Sequence, residues 1–171
     1  MDLFVAYCDG SYQSSIDSGG WASIILKDDK IFKKLYQGYK STTNNRQELY
    51  AVLGTLEFFK EPTRLIIYSD SQYVVNSINN KHVYKWFEEG DFSKKNLDLW
   101  FKIIDLLNFH DVTFRWVKGH ENNKFNELAD KHAVHAAQCL NLKKDEINST
   151  KIYTSGEPLV YRSSSLGPET S

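Results

Sequence analysis

Cysteine is scarce. Cys8 and Cys139 are the only two in 171 residues, too few for a disulfide framework and in keeping with a reducing, intracellular setting. Cys8 sits inside an apolar alternation and reads as a small buried hydrophobe. Long apolar runs are missing: none approaches the ~20 residues that cross a bilayer, so no membrane association is expected. The opening Met1-Asp2-Leu3 lacks the basic-then-apolar pattern of a signal peptide, which points to a cytoplasmic protein. An excess of charge of either sign is missing as well. The formal net charge is −1, which excludes a protein that holds nucleic acid by bulk charge. Local basic stretches remain, at Lys27 to Lys34 and at Lys94-Lys95. Internal repeats are absent.

What is present suits one globular domain. The length supports a single core and is short for two. Aromatic residues make up 14 %, enough for an aromatic core or for stacking surfaces. Residues 3–9 alternate Leu3, Val5, Tyr7 and Asp9 against Phe4, Ala6 and Cys8. Both rows are largely apolar, which predicts a central strand covered on two faces and ending at Asp9. Trp21 to Leu26 and Ile31 to Tyr39 predict two more strands, joined by links short enough for antiparallel hairpins. From Asn45 the spacing of Leu49, Val52, Leu53, Leu56 and Phe59 turns helical. Thr43 or Asn44 can cap that helix, and Gln47 stands as in a capping box. Leu65 to Ser69 predicts a buried strand ending at Asp70. Beyond it come a short helix over Ser71 to Ile78, an irregular stretch over residues 79–96 that reads as a surface helix and loop or as a substrate-contacting protrusion, and a helix over Leu97 to Phe109. Val112 to Val117 predicts a fifth strand, and Phe125 to Leu140 a last helix. After Lys143 the composition shifts to Ser, Thr, Gly and Pro. Residues 1–143 are therefore read as the folded domain and 144–171 as a flexible tail. Helical crossovers set strands one, four and five parallel. The expected architecture is α/β: a five-stranded mixed sheet, strands 1–3 antiparallel and 1-4-5 parallel, flanked by helices.

Four acids fall where such a sheet gathers side chains. Asp9 and Asp70 end adjacent parallel strands at one rim, where open α/β sheets bind ligands. Glu48 lies in the first turn of its helix, on a side that faces the sheet. Asp130 lies early in the last helix, whose Ala129, Ala133 and Ala137 permit a close approach, with Asn126 on the same face. Taken singly, Asp9-Gly10 serves equally as a turn, Glu48 as a solvated acid, Asp70-Ser71 as a helix cap and Asp130 as a surface charge. Taken together, four acids so placed repel one another unless cations neutralise them, and carboxylate oxygens suit Mg2+. Phosphodiester hydrolysis needs an activated water, a neutralised phosphate and a stabilised leaving oxygen, which two divalent ions supply. His120, in a polar loop beside Gly119, can move and titrates near neutrality. His132 and His135 share a helix face without a third ligand and read as structural or solvated.

The segments Tyr7-Cys8-Asp9-Gly10-Ser11, Thr42-Thr43-Asn44-Asn45-Arg46-Gln47-Glu48-Leu49, Tyr68-Ser69-Asp70-Ser71-Gln72-Tyr73-Val74, and Trp116-Val117-Lys118-Gly119-His120 followed by Asn126-Glu127-Leu128-Ala129-Asp130 resemble, in order and spacing, the four motif blocks of type 1 ribonuclease H. The resemblance covers residues 3–140. It implies the ribonuclease H-like fold and an endonuclease that hydrolyses the RNA strand of RNA–DNA hybrids with two Mg2+, for which Mn2+ can substitute. The products implied are 5′-phosphate and 3′-hydroxyl ends. The resemblance implies that Asp9, Glu48, Asp70 and Asp130 bind metal, with Asp9 bridging two ions. It implies that His120 assists proton transfer or product release. The substrate contacts it implies are the Gly10 and Ser11 backbone on the RNA strand, Asn44, Asn45 and Gln72 in the minor groove, Thr43 on a DNA phosphate and Trp86 on a DNA sugar. Lys85 and Asn126 belong to the same implied surface. A monomer acting on the hybrid is the implied assembly.

The chain departs from that family's pattern in its protrusion, which is short and carries acidic Glu88-Glu89-Gly90-Asp91 where members with a full handle are basic. Lys85 stands in place of an asparagine, and Ser41 in place of a basic residue of some members. Weak, salt-sensitive hybrid binding is the expected consequence. Other readings are a domain of reverse-transcriptase origin, a non-catalytic hybrid-binding module, and a DNA-cutting relative such as a junction resolvase. The Met just before the first strand favours a free-standing protein, and the four acids favour activity. The Thr-Thr-Asn-Asn and Asp-Ser-Gln blocks favour hybrid cutting.

Overall fold

The computed structural model describes residues 2–89, 95–119, 123–139 and 141–145. Among them, six strands form one sheet: β1 (Leu3–Gln13), β2 (Ser18–Lys27), β3 (Lys30–Lys40), β4 (Arg64–Ser69), β5 (Asp111–Trp116) and β6 (Lys143–Lys144). Their spatial order is β5-β4-β1-β2-β3-β6. The hairpins β1-β2 and β2-β3 are antiparallel, while β1-β4 and β4-β5 are parallel. The helices are α1 (Asn44–Phe58), α2 (Gln72–Asn79), α3 (His82–Glu89), α4 (Leu97–Phe109) and α5 (Lys124–Gln138). No helix of the described residues is long and apolar enough to cross a membrane.

Local chemistry accounts for the joints. Lys27 pairs with Lys30 across a two-residue turn in which Asp28 and Asp29 both have positive φ, 51° and 63°. That is the turn whose twist matches a hairpin. Thr43 caps α1 by accepting the Arg46 N–H at 3.2 Å, and Ser71 caps α2 by accepting the Val74 N–H at 3.2 Å. The two apolar rows of β1 serve two layers. Phe4, Ala6 and Cys8 join the main core with Leu49, Val52, Leu53 and Leu56 of α1 and Leu99, Trp100 and Ile103 of α4. Val5 and Tyr7 pack on the other side with Ile24, Leu26, Phe125 and Ala129, beneath α5. That helix lies close because Ala129, Ala133, Ala136 and Ala137 are its buried positions, and the Ser18 hydroxyl donates to the Ala137 carbonyl at 2.9 Å.

The structure corrects or completes the expected outline in five places. The sheet has six strands: Lys143 and Lys144 pair with Tyr39 and Lys40 of β3. Two lysines carry no strand alternation, so only the neighbouring edge makes them one. Those residues also bring Asp145, buried at 4 % exposure, into the fold, so Lys144 and Asp145 are not tail. Residues 146–171 lie outside the described residues. The strand β1 does not end at Asp9 but continues to Gln13 along β2, through Gly10↔Trp21 to Gln13↔Ser18. The irregular stretch 79–96 contains the helix α3. Gln47 completes no capping box; it is buried and its amide donates to the Thr42 hydroxyl at 2.8 Å.

Candidate active site

Two strands deliver the first two acids. The parallel ladder between β1 and β4 runs from Leu3↔Arg64 to Cys8↔Ser69 and stops there. Asp9 is thus the first residue of β1 without a β4 neighbour, and Asp70 is the residue that follows the last residue of β4. Across the gap stands Glu48, the fifth residue of α1. A Cβ on Gly10 would overlap the backbone of Gln47 and Glu48, so the glycine is what lets this helix come in. The Gly10 N–H donates to Asp9 Oδ1 at 3.0 Å and to Glu48 Oε1. One backbone donor therefore holds two of the acids together, and that amide is turned inward.

Ligand oxygens of Asp9, Glu48 and Asp70 lie within 4.8 Å of one another. Among the described residues no other group of three His, Cys, Asp or Glu side chains comes together in this way. Asp130, on the second turn of α5, shares a hydrogen bond with Asp9. All four predicted acids thus gather at one place, three as a tight group and Asp130 against Asp9. Burial pushes the Asp9 carboxyl well above the ordinary carboxylate range, and the charges of Glu48 and Asp70 push it further. Burial, then the Asp70 charge, does the same to Glu48, while its hydrogen bonds work the other way. Glu48 Oε2 is buried with no hydrogen-bond partner. An orphaned buried carboxylate oxygen facing two more acids fits a cation that takes oxygen ligands. The donor set, all carboxylate, suits a hard, oxygen-seeking divalent cation rather than a thiolate- or imidazole-seeking metal.

The surrounding elements hold the group in place. The Trp116 indole N–H donates to the Asp70 carbonyl at 3.1 Å, and Val117 N–H donates to the Ser69 carbonyl at 3.0 Å. A Cβ on Gly119 would stand 3.0 Å from Asp70 Oδ2, so the segment leading to His120 runs against this acid. His120 itself lies outside the described residues. In the sequence Trp116 opens the fourth motif block without a role of its own, and its position beside Ser69 gives it this bond.

The other predicted residues divide. Asn44 and Asn45 are exposed in the first turn of α1, and Gln72 is exposed at the start of α2, so both helix N-termini present amides around the acids. Thr43 is exposed with its hydroxyl accepting in the cap. Asn126 is buried, with Oδ1 lacking a partner. Ser11 lies on the extension of β1 opposite Gly20. On α3, Lys85 pairs with Glu89 at 4.0 Å on the surface, while Trp86 packs partly against the main core and lies 6.3 Å from the His82 ring. Gly90 and Asp91 of the acidic stretch, and Lys94, lie outside the described residues. His132 stacks on Tyr36 at 5.6 Å, its pKa lowered by burial and then by Lys34.

The family model described as RNase H matches residues 2–138. The chain belongs to the RNase H family. With the family comes the enzyme class, ribonuclease H, a hydrolytic endonuclease. Among curated relatives, ribonuclease HI of Synechocystis sp. is 38 % identical over 137 residues, covering 77 % of this chain and 86 % of that one. Ribonuclease H of Trichodesmium erythraeum is 40 % identical over 144 residues, covering 81 % and 91 %. Among solved structures, LC9-RNase H1, described as a type 1 RNase H with the type 2 active-site motif, superposes with a TM-score of 0.68 at 26 % identity, over 81 % of this chain and 73 % of that one. The prototype foamy virus protease–reverse transcriptase shares the fold at a TM-score of 0.67 and 24 % identity, over 81 % of this chain and 21 % of that one. The RNase H blocks read from sequence are the segments that meet at the acids.

Proposed function

We propose that this member cuts the RNA strand of RNA–DNA hybrids as a monomer, using Asp9, Glu48, Asp70 and Asp130 to hold two Mg2+, with Mn2+ able to substitute. The observation that carries the reading is the trio of carboxylates within 4.8 Å of one another, one of them with an orphaned buried oxygen. All four acids come from one chain, so no second copy is needed to complete the site. Bound in this place, the ions supply an activated water, neutralise the phosphate and stabilise the leaving oxygen, giving 5′-phosphate and 3′-hydroxyl ends. The chain's own residues do the rest. Asp9 interacts with both Glu48 and Asp130, which supports its reading as the acid that would serve both ions. Gly10 N–H fixes the Asp9 and Glu48 carboxylates, and Trp116 fixes the turn at Asp70. Asn44, Asn45 and Gln72 offer donors and acceptors to the edges and 2′-hydroxyls of a hybrid minor groove, with Thr43 toward a DNA phosphate, Trp86 toward a DNA sugar, the Ser11 backbone toward the RNA strand, and Lys85 and Asn126 on the same surface. His120 assists proton transfer or product release.

The test is cleavage of labelled RNA–DNA hybrid, RNA duplex and DNA duplex in Mg2+, by the wild type and by Asp70→Asn. Hybrid alone should be cut. The variant should lose at least about 100-fold in rate, the scale of removing one electrostatic stabiliser of a transition state. Equal cleavage by the variant, or no preference for hybrid, refutes the reading.

A further inference from the structure

Beside the acids lies a second charged group that the chemistry above does not use. Its centre is Arg46, whose side chain is 1 % exposed, with Asp98 and Asp145 both at 0 %. The guanidinium donates to both oxygens of Asp98, at 2.9 and 2.8 Å. Its other edge donates to both oxygens of Asp145, at 2.8 and 2.9 Å. Asp145 also accepts from the Tyr50 hydroxyl at 2.6 Å and from the Thr42 hydroxyl at 2.6 Å. Thr42 in turn accepts from Gln47 at 2.8 Å. One carboxylate, 99 positions away from Arg46 in the chain, thus collects four donated hydrogen bonds from Thr42, Arg46 and Tyr50.

Those three residues stand at i, i+4 and i+8, a single face running from just before α1 through its second turn. The same two turns carry Glu48 among the acids and the exposed Asn44 and Asn45 at the rim. A buried ion pair is a poor way to gain stability, because desolvation offsets most of the attraction. It is an effective way to fix register, because two charges and their hydrogen bonds are satisfied in one geometry only.

We propose that Asp145 is a positioning residue for the active site: from the C-terminal edge of the sheet it locks the first two turns of α1, and so sets where Glu48, Asn44 and Asn45 stand relative to Asp9 and Asp70. The proposal rests on the roles given to those residues under the proposed function. Without the Asp145 carboxylate, two guanidinium N–H groups and the Tyr50 and Thr42 hydroxyls lose their acceptor in a buried place, and the turn shifts to find others.

The experiment compares wild type with Asp145→Asn, Asp145→Ala and Asp145→Glu, each well below its own melting temperature. Asp111→Asn, at the exposed Arg64 pair, serves as a control for loss of a surface charge. Two readouts are taken: Mg2+ affinity of the substrate-free protein by calorimetry, and kcat and KM on hybrid. Asp145→Asn and Asp145→Ala should bind Mg2+ about 10-fold more weakly, the scale seen when a group behind a metal ligand is removed. Their hybrid KM should rise by a similar factor, and Asp145→Glu should recover part of both. Variants that melt lower yet match wild type in Mg2+ affinity, KM and kcat overturn the proposal. A wild type that binds Mg2+ without cutting hybrid refutes the proposed function, and the Mg2+ affinities alone then decide for or against Asp145. If the Asp145 variants do not fold, Tyr50→Phe and Thr42→Val each remove one donor to the same carboxylate. Both should weaken Mg2+ binding in the same direction by less, and unchanged affinity in both overturns the proposal.

Discussion

At the scale of single residues, the site is a set of acids held closer than their charges favour. The folded chain keeps protons on Asp9 and Glu48 that an unfolded chain releases near pH 4. Folded protein therefore binds more protons than unfolded, and metal-free stability from these two groups falls as pH rises from about 4 through neutrality. Burial lowers the pKa of His110, which works in the opposite sense. Comparison with Asp9→Asn cancels that shared contribution. In EDTA, the melting temperature of wild type relative to Asp9→Asn should drop between about pH 5 and about pH 8, and Mg2+ should raise wild type more at the higher pH. A relative melting temperature that climbs with pH removes the argument. Gly10→Ala addresses the same contact sterically. Its methyl would drive into the backbone of Gln47 and Glu48, so hybrid cleavage should fall at least about 10-fold with the circular-dichroism spectrum retained, since a small misplacement of catalytic groups is costly. Activity within a factor of two of wild type would show that α1 yields freely there.

At the scale of elements, α1 and α2 each begin with a hydroxyl cap and each present polar side chains beside an acid. The cap of α2 is Ser71, not Asp70, which leaves Asp70 to the acid group. Ser71→Ala should cost about 1 kcal/mol of stability, read as a shift in the denaturation midpoint with unchanged slope. A loss below the error of that measurement would mean the cap is not what starts the helix. The element that carries the predicted substrate contacts Lys85 and Trp86 is α3. Its exposed lysine is paired to Glu89, and its tryptophan leans on the core. It therefore presents less free positive charge to a duplex than a basic handle would.

At the scale of the whole molecule, a net charge of −1 and a paired α3 leave no overall excess of cations for phosphates. Hybrid affinity should be modest and should fall at least about 10-fold between about 50 and about 200 mM salt, as expected when a few local contacts release counterions. Filter binding of hybrid to Asp70→Asn at several salt concentrations measures it. A flat response would mean that stacking and groove contacts, not phosphates, hold the substrate. The molecule also closes on itself through Asp145, which joins the far end of the described chain to the start of α1.

Much of this was readable from local pattern. The period-2 rows of β1, the 3.6-residue spacing of α1 and the alanines of α5 each declare one element and its buried side, because periodicity depends on near neighbours. The acids themselves, and the polar blocks around them, stand in the sequence as residue types a metal-dependent hydrolase requires. What the sequence by itself determined is therefore the order of the elements other than α3 and β6, the two layers of the core and the candidacy of the four acids. The tertiary structure alone decided the rest. Asp9 became a rim residue because β4 stops one position short of it, not because β1 ends. Lys143 and Lys144 became a strand because β3 offered an edge. Asp145 became a buried anchor because Thr42, Arg46 and Tyr50 converge on it from about a hundred positions away. Contacts of that range carry no periodic trace along the chain, so only the folded arrangement could disclose them.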